Sequence, residues 1–204
     1  MLSERFDAAL VFASALHREQ KRKSTAIPYV AHLLAVASLT AEGGGGEVEC
    51  IAALLHDALE DQGDSYPGGR DGLRAEIRER FGEAVLAIVE GCTSDEEHGK
   101  DRWRERKQAY IDHLAEASAS VRLVSCADKL HNLRSMLTDY REQGEALWQR
   151  FRTKSRAEQF WYYGSLIDVY RRSGGRLASE LEETWRAMQA EAARRDSAGP
   201  PVNA

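Results

Sequence analysis

The sequence predicts an all-α fold, a helical bundle of about eight to ten helices. Apolar residues recur at three- and four-residue steps through most of the chain, a spacing that places them on one face of a helix. No stretch alternates apolar and polar residues in the way that is typical of a strand. Only four prolines occur, and Pro200 and Pro201 stand at the C-terminal end, so few positions oppose a helix.

The N-terminal part predicts three helices separated by a basic loop and a run of glycines. The first helix covers residues 6–20, and the basic loop follows at 21–25. The second helix, over 28–41, begins with a proline, which suits the first turn of a helix. The glycines at 43–46 lack the Gly-Lys-Ser/Thr ending of a phosphate-binding loop and serve as a connection. The third helix covers the central segment 51–61, which we expect to be continuous.

The rest of the chain predicts further helices, of which two short ones meet at Gly82 and one is rich in aromatic residues. A glycine pair precedes the last helix. We expect one domain over residues 1–195 and a disordered tail over 196–204. The expected helices cover 73–81, 83–92, 103–119, 121–140, 146–151, 155–172 and 176–194.

Length and charge limit the classes of partner. A chain of 204 residues suits one domain that buries a substantial core. Its formal net charge of -5 argues against general binding of nucleic acid. That charge is compatible with an anionic substrate, because a metal ion or a local group of cations can reverse the field inside a cleft. A small molecule is therefore the expected partner, and a homo-oligomer remains one alternative for the assembly.

The distribution of apolar residues and cysteines predicts a cytoplasmic protein. No apolar run approaches the roughly 20 residues of a membrane span, and the N-terminus lacks the features of a signal peptide. Cys50, Cys92 and Cys126 are widely spaced and odd in number, which supports neither a disulfide framework nor a zinc ribbon. A reducing compartment and no membrane partner are the expectations that follow.

The central segment carries four groups that suit metal chemistry. His56, Asp57, Glu60 and Asp61 stand at i, i+1, i+4 and i+5. Three carboxylates this close raise one another's pKa unless a cation or a proton neutralises them. A divalent metal explains the pattern, with His56 and Asp57 as ligands and the two later carboxylates handling a bound water. From this segment alone, a solvated acidic end of an amphipathic helix is an equally good interpretation.

Asp128 is a further candidate ligand, because it interrupts an apolar helix. Asp128, Asn132 and Ser135 lie at i, i+4 and i+7 and therefore share one side of that helix. A carboxylate in such surroundings costs free energy unless it is paired or bound to a metal. An ion pair with Arg122 or Lys129 is the alternative.

His32 completes a set of two imidazoles and two carboxylates that could meet at one octahedral ion. The four residues come from three predicted helices and leave room for water and substrate oxygens. This mixed set suits Mn²⁺, Fe²⁺ or another first-row divalent ion better than a closed structural zinc site. The candidate ligands are His32, His56, Asp57 and Asp128, with a structural role as the more common alternative for a lone histidine such as His32.

The order of these residues resembles the HD-type phosphohydrolases. Within them the chain is most similar to the hydrolase domain of the Rel/Spo alarmone enzymes, especially the stand-alone small alarmone hydrolases. The likeness covers roughly residues 5–140 and continues more loosely to about 170. The matching motifs are RKS at 22–24, PYxxH at 28–32, LLHDxxED at 54–61 and ADKLHN at 127–132.

The resemblance implies a helical domain with one Mn²⁺ ion held by His32, His56, Asp57 and Asp128. It implies that Glu60 and Asp61 position or deprotonate the attacking water. The expected reaction removes the 3′-pyrophosphate of guanosine tetra- or pentaphosphate and leaves GDP or GTP and pyrophosphate. Nothing in the chain resembles a synthetase domain, so we expect it to degrade the alarmone and not to make it.

The resemblance also implies a set of substrate contacts. A loop arginine stacks on the base, a loop lysine meets phosphate, and the helix that carries Asp128 provides contacts to ribose and base. Two further cations align with phosphate-binding residues, with solvated surface charges as the alternative. A tyrosine lines the nucleotide pocket or packs on the first helix. These residues are Arg22, Lys23, Asn132, Ser135, Lys100, Arg156 and Tyr29.

Two rival functions share the same motifs. A sibling phosphohydrolase would act on the adenosine alarmone or on the 2′-phosphate of NADPH, with the same metal centre and a different pocket. A catalytically silent HD module would only sense a nucleotide. Glu60 and Asp61 argue against the silent module, because such a module needs no water-activating pair.

Overall fold

The computed structural model describes residues 1–93 and 102–198, and within these ranges the protein is all-α, as predicted. The described residues form nine α-helices and two 3₁₀ helices. Lys100 and residues 199–204 lie outside them. The α-helices are α1 (Glu4–Leu16), α2 (Val30–Glu42), α3 (Glu47–Leu55), α4 (Ala58–Asp61), α5 (Gly69–Cys92), α6 (Trp103–Glu116), α7 (Ala119–Gln143), α8 (Arg156–Ser173) and α9 (Arg176–Ala198). The 3₁₀ helices are Gly63–Ser65 and Gly144–Arg150.

Helices α3 and α7 form the centre of the bundle. Six successive residues of α3, from Cys50 to Leu55, are buried, because α1, α2, α5 and α7 all pack against this helix. Helix α7 also contacts α8 and α9, and Leu130 and Leu133 on it are fully buried. Among the described residues, no helix is long and apolar enough to cross a membrane.

The expected continuous helix over 51–61 is wrong, because the backbone breaks at Asp57. Helix α3 ends at Leu55, Asp57 has φ -99° and ψ 0°, and α4 starts at Ala58. Neighbouring residues of a continuous helix point about 100° apart and cannot face one another. The break allows His56 and Asp57 to turn to the same side, so the departure from helix geometry is what builds the site.

The expected hinge at Gly82 is confirmed. Gly82 has φ 82° and ψ 165°, and the helix continues on both sides of it within α5. This combination of angles is essentially restricted to glycine. The guanidinium of Arg5 donates a hydrogen bond to the carbonyl oxygen of Phe81, one residue before the kink. The hinge lets both halves of α5 bury apolar residues, Ile77 and Phe81 before it and Val85 and Leu86 after it.

Helix α9 covers the core. Leu177, Leu181, Trp185 and Met188 on this helix are buried, and α9 packs on α7 and α8. It extends to Ala198, beyond the expected end at 194 and into the segment predicted as a disordered tail. The part of that tail over 199–204 lies outside the described residues.

Alanine substitution should separate the hinge glycine from an ordinary helical glycine. We expect Gly82→Ala to lower the free energy of unfolding by about 1–3 kcal/mol, because alanine is strained at this positive φ. Gly164→Ala is the matched control: Gly164 lies inside α8 with no atom within 4 Å of an added Cβ. We expect it to raise the free energy of unfolding by about 0.5–1 kcal/mol. Denaturant unfolding measures both, and equal effects would contradict a backbone requirement at Gly82.

Candidate metal centre

Four predicted ligands from three parts of the fold meet at one point. The ligand atoms of His32, His56 and Asp57 all lie within 4.8 Å of one another. His56 Nε2 is 2.9 Å from Asp57 Oδ2, and His32 Nε2 is 3.6 Å from the same oxygen. Asp128 Oδ1 lies 3.2 Å from His32 Nε2 and 3.8 Å from His56 Nε2. The described structure therefore brings all four together.

Hydrogen bonds on the outer side of each imidazole direct Nε2 into the centre. His56 Nδ1 lies 2.8 Å from the main-chain oxygen of Ala53, one turn earlier in α3. His32 Nδ1 lies 2.7 Å from Nδ1 of His131, which α7 carries. A proton on Nδ1 leaves the lone pair of Nε2 free for a metal.

The electrostatics of the centre favour positive charge among the carboxylates. Burial opposes ionisation of Asp57, but His56 and His32 outweigh it and hold the pKa of Asp57 well below its usual range. Burial also opposes the charge on His56, yet Asp57 and Asp128 raise the pKa of His56 well above its usual range. A cation placed between these carboxylates would stabilise their ionised form in the same way.

Asp128 makes both of the contacts that the sequence left as alternatives. Its Oδ2 lies 2.5 Å from Nζ of the buried Lys129, while Oδ1 faces the two imidazoles. Burial raises the pKa of Asp128, but Lys129 outweighs it, followed by His32 and His56, and the pKa lies well below its usual range. Arg122, the other expected ion-pair partner, donates instead to the main-chain oxygen of Ala117.

The donor set fits a divalent metal ion. His56 Nε2 is buried and makes no well-aligned hydrogen bond to any described residue, so a metal ion could take the place of its proton. His32, His56 and Asp128 are almost fully buried, and the side chain of Asp57 is mostly so. Two imidazole nitrogens with carboxylate oxygens suit first-row divalent ions. The centre can therefore hold one such ion by His32, His56, Asp57 and Asp128.

The two carboxylates of α4 lie beside the centre in different surroundings. Glu60 lines a cleft that His32 of the centre also lines. Asp61 Oδ2 accepts a hydrogen bond of 2.7 Å from Nε2 of Gln20. Gln20 is held in turn by Nε2 of Gln62 at 2.6 Å and by Nδ1 of His17 at 2.6 Å. Desolvation of the carboxyl group, and then the charge of Asp57, raise the pKa of Asp61 to about 6.

Four of the predicted substrate residues line that cleft, which has a volume of about 830 Å³. Arg22 Nη2 donates to Oδ1 of Asn132 at 2.9 Å, and the amide nitrogen of Asn132 donates to Oδ1 of Asp128. The basic loop is thus connected to a metal ligand through one side chain. The four residues are Arg22, Lys23, Asn132 and Ser135.

Tyr29 and Arg156 are not among the described residues that line the cleft. The hydroxyl of Tyr29 donates to Oδ2 of Asp57 at 2.5 Å, and its ring stacks on His17 of the first helical segment with centroids 5.2 Å apart. Arg156 binds both carboxylate oxygens of Asp196 at 2.9 and 3.0 Å and so ties α8 to α9. Lys100, the remaining predicted substrate residue, lies outside the described residues.

The structure adds cations from α6 that were missed in the sequence. Arg106 and Lys107 line the cleft. Nε of Arg106 is buried and has no hydrogen-bond partner among the described residues. Nζ of Lys107 lies 4.9 Å from the centroid of the Tyr162 ring. In the sequence these cations alternate with Glu105 and other charges, which is the pattern of a solvated helix face, so only tertiary packing distinguishes them.

Comparisons with known proteins find a family model and relatives that this chain is similar to. The HD domain family matches residues 9–155. The guanosine-3′,5′-bis(diphosphate) 3′-pyrophosphohydrolase MESH1 of Drosophila melanogaster is 30% identical over 188 residues, which cover 90% of this chain and 94% of that protein. The pyrophosphohydrolase of Aquifex aeolicus is 39% identical over 137 residues, which are 66% of this chain and 18% of that protein.

A solved structure extends the likeness to the fold. It is described as a metazoan ortholog of SpoT that hydrolyses ppGpp. It superposes with a TM-score of 0.74 and 27% sequence identity, over 94% of this chain and 98% of that one.

Asp61 should make stability depend on pH in the metal-free protein. Its pKa is raised from 3.8 to about 6, so the fold favours the neutral carboxyl group, and this contribution to stability is lost as the pH rises through about 6. Asp61→Asn cannot ionise, and we expect its melting temperature to exceed that of the wild type above about pH 6 and to approach it near pH 4. Thermal unfolding in EDTA measures this. The exposed Asp64→Asn is the control, and a difference at Asp61 that does not vary with pH would contradict the prediction.

Proposed function

The chain belongs to the HD-domain family, within the group of the Rel/Spo alarmone hydrolases, and from that membership we propose a Mn²⁺-dependent 3′-pyrophosphohydrolase of guanosine tetra- and pentaphosphate. Its products would be GDP or GTP and pyrophosphate. The observation that carries the proposal is a centre of four possible ligands, next to a cleft that His32, Glu60 and several cations line.

The names of the relatives support the substrate. The relatives from Drosophila and Aquifex are both named for removal of the 3′-pyrophosphate of guanosine bis(diphosphate). This chain aligns with nearly the whole of the first and with a small part of the second. The hydrolase reaction is therefore the one that we carry over.

Asp61 is the group suited to accept a proton from the attacking water. When bound, Mn²⁺ supplies a water of lowered pKa and neutralises charge on the phosphate oxygens. A carboxyl group with a pKa of about 6 is mostly ionised at neutral pH and takes a proton more readily than an ordinary aspartate. Gln20 donates to Oδ2 of Asp61 and holds that oxygen in place. Glu60 would orient the water from the cleft side.

The cleft walls suit a substrate with several phosphate groups. Arg22 is anchored by Asn132, which leaves the plane of its guanidinium available to stack on a base. Lys23 from the same loop would meet phosphate. Arg106 and Lys107 on α6 add two cations, and Arg106 lacks a protein acceptor among the described residues at its Nε. Ser135 and Asn132 would contact the base and the ribose.

A sibling activity on the adenosine alarmone or on NADPH would use the same centre and different wall contacts, and we retain it as the alternative. We propose the cytoplasm as the compartment, which the three free cysteines support because they are the form expected under reducing conditions.

Product analysis tests the reaction. Protein loaded with Mn²⁺ is mixed with guanosine tetraphosphate, its adenosine counterpart and NADPH, with EDTA as the control. We expect Mn²⁺-dependent release of pyrophosphate from the guanosine alarmone. A variant carrying Glu60→Gln and Asp61→Asn should still bind Mn²⁺ but lose at least about 100-fold in turnover, because the groups that handle the proton are gone.

Each other result has a distinct meaning. Phosphate release from NADPH alone would replace the proposal by the sibling activity. Metal binding without turnover of any substrate would contradict the proposed hydrolase activity and favour a sensing module. Unchanged turnover in the double variant would contradict the roles of Glu60 and Asp61.

Arg106 should contribute to substrate binding. We expect Arg106→Gln to raise KM for the alarmone by about 10-fold, because a hydrogen bond to a charged phosphate is lost, with a smaller effect on kcat. Arg104→Gln is the matched control from the same helix: Arg104 pairs with Glu158 at 2.6 Å and stacks on Trp161 at the surface. Steady-state kinetics compare the two, and equal KM values would contradict a phosphate contact at Arg106.

A further inference from the structure

His131 connects the candidate metal centre to the cleft. Its Nδ1 lies 2.7 Å from Nδ1 of His32, and the two ring centroids are 4.8 Å apart. The ring of His131 also lines the cleft, next to Asn132. In the sequence His131 lies in the ADKLHN motif at 127–132, and it is not one of the four predicted ligands.

The distance between the two Nδ1 atoms allows one proton between them. One nitrogen donates and the other accepts, since two N–H groups cannot point at each other at 2.7 Å. His32 Nε2 faces Oδ1 of Asp128 and Oδ2 of Asp57 inside the centre. An imidazole that binds a metal through Nε2 carries its proton on Nδ1. His32 is therefore the donor, and Nδ1 of His131 accepts.

The same argument determines the charge and the tautomer of His131. A ring whose Nδ1 accepts cannot be the imidazolium ion, and its own proton must be on Nε2. Nε2 of His131 has no hydrogen-bond partner among the described residues, and the ring borders the cleft. His131 thus offers a neutral N–H donor to a molecule in the cleft.

His56 shows what is particular about this arrangement. Its Nδ1 is paired with the main-chain oxygen of Ala53, an acceptor that has no further donor to offer. The partner of His32 is instead a side chain with a second polar atom. On the His32 side, unlike the His56 side, the orientation of a metal ligand therefore extends to a group that can contact substrate, as it also does from Asp128 to Asn132.

We propose that His131 is a positioning residue for the metal ligand His32 and, through Nε2–H, a hydrogen-bond donor to a ribose or phosphate oxygen of the substrate. The inference rests on the proposed metal centre and adds a residue to it. Because the two functions use different nitrogen atoms of His131, we expect substitutions to remove one without the other.

Two variants separate the functions. His131→Asn keeps an amide oxygen where Nδ1 accepts and removes the distal donor, so we expect Mn²⁺ affinity within about 3-fold of the wild type and a KM raised by about 10-fold. His131→Phe keeps a ring and removes both polar atoms, so we expect Mn²⁺ affinity to fall by about 10-fold or more, together with the rise in KM. His113→Phe, an exposed histidine on α6, is the control and should change neither.

Calorimetric titration of metal-stripped protein with Mn²⁺ measures the affinities, and steady-state kinetics measure KM. Side-chain ¹H–¹⁵N spectra of wild-type protein loaded with diamagnetic Zn²⁺ read the protons directly and do not depend on any variant. We expect a proton on Nδ1 of His32 and on Nε2 of His131.

Each result tests a separate part of the proposal. A proton on Nδ1 of His131, or unchanged Mn²⁺ affinity in His131→Phe, would overturn the positioning role. An unchanged KM in His131→Asn would overturn the substrate contact. Failure of the wild-type protein to bind Mn²⁺ would overturn the proposed function and this inference with it, whereas wild-type binding with unaffected variants would overturn this inference alone.

Discussion

The structure depends on the compensation of two buried carboxylates. Asp57 and Asp128 lie among apolar helices, where an ionised carboxyl group is unfavourable unless positive or donor groups surround it. Helix α2 supplies His32, the end of α3 supplies His56, and α7 supplies Lys129. Each of these helices brings a compensating group. The charge of the two carboxylates is therefore balanced only when α2 and α3 pack against α7.

A second consequence is that each group of the centre is held by a neighbour. Hydrogen bonds from the fold fix the orientation of these side chains, so little reorganisation is needed when an ion binds. The described pairs are Ala53 with His56, His131 with His32, Tyr29 with Asp57, Lys129 with Asp128 and Gln20 with Asp61. Tyr29 of the PYxxH motif and Gln20, which precedes the basic loop, therefore hold side chains of the centre in position.

Helices could be predicted wherever local chemistry determines the backbone. The periodic apolar residues predicted the helices. Gly82 predicted the hinge, because only glycine adopts those backbone angles readily. The break at Asp57 has no glycine or proline to mark it and arises from tertiary contacts. The resemblance carried by the motifs implied the ligands. Arg106 and Arg156 were not separable by sequence, since only packing turns one into the cleft and pairs the other with Asp196.

The separation of charge between the centre and the cleft walls explains how an acidic chain can suit an anionic substrate. The carboxylates Asp57 and Asp128 belong to the centre, where a divalent ion would neutralise them, and cations of the basic loop and α6 line the neighbouring cleft. A net charge of -5 describes the whole chain and not the field inside the cleft. Water activation would depend on the centre, and the choice of nucleotide on the walls. Exchange of wall residues such as Arg106 or Ser135 could therefore redirect the enzyme to another phosphorylated nucleotide without any change in the ligands.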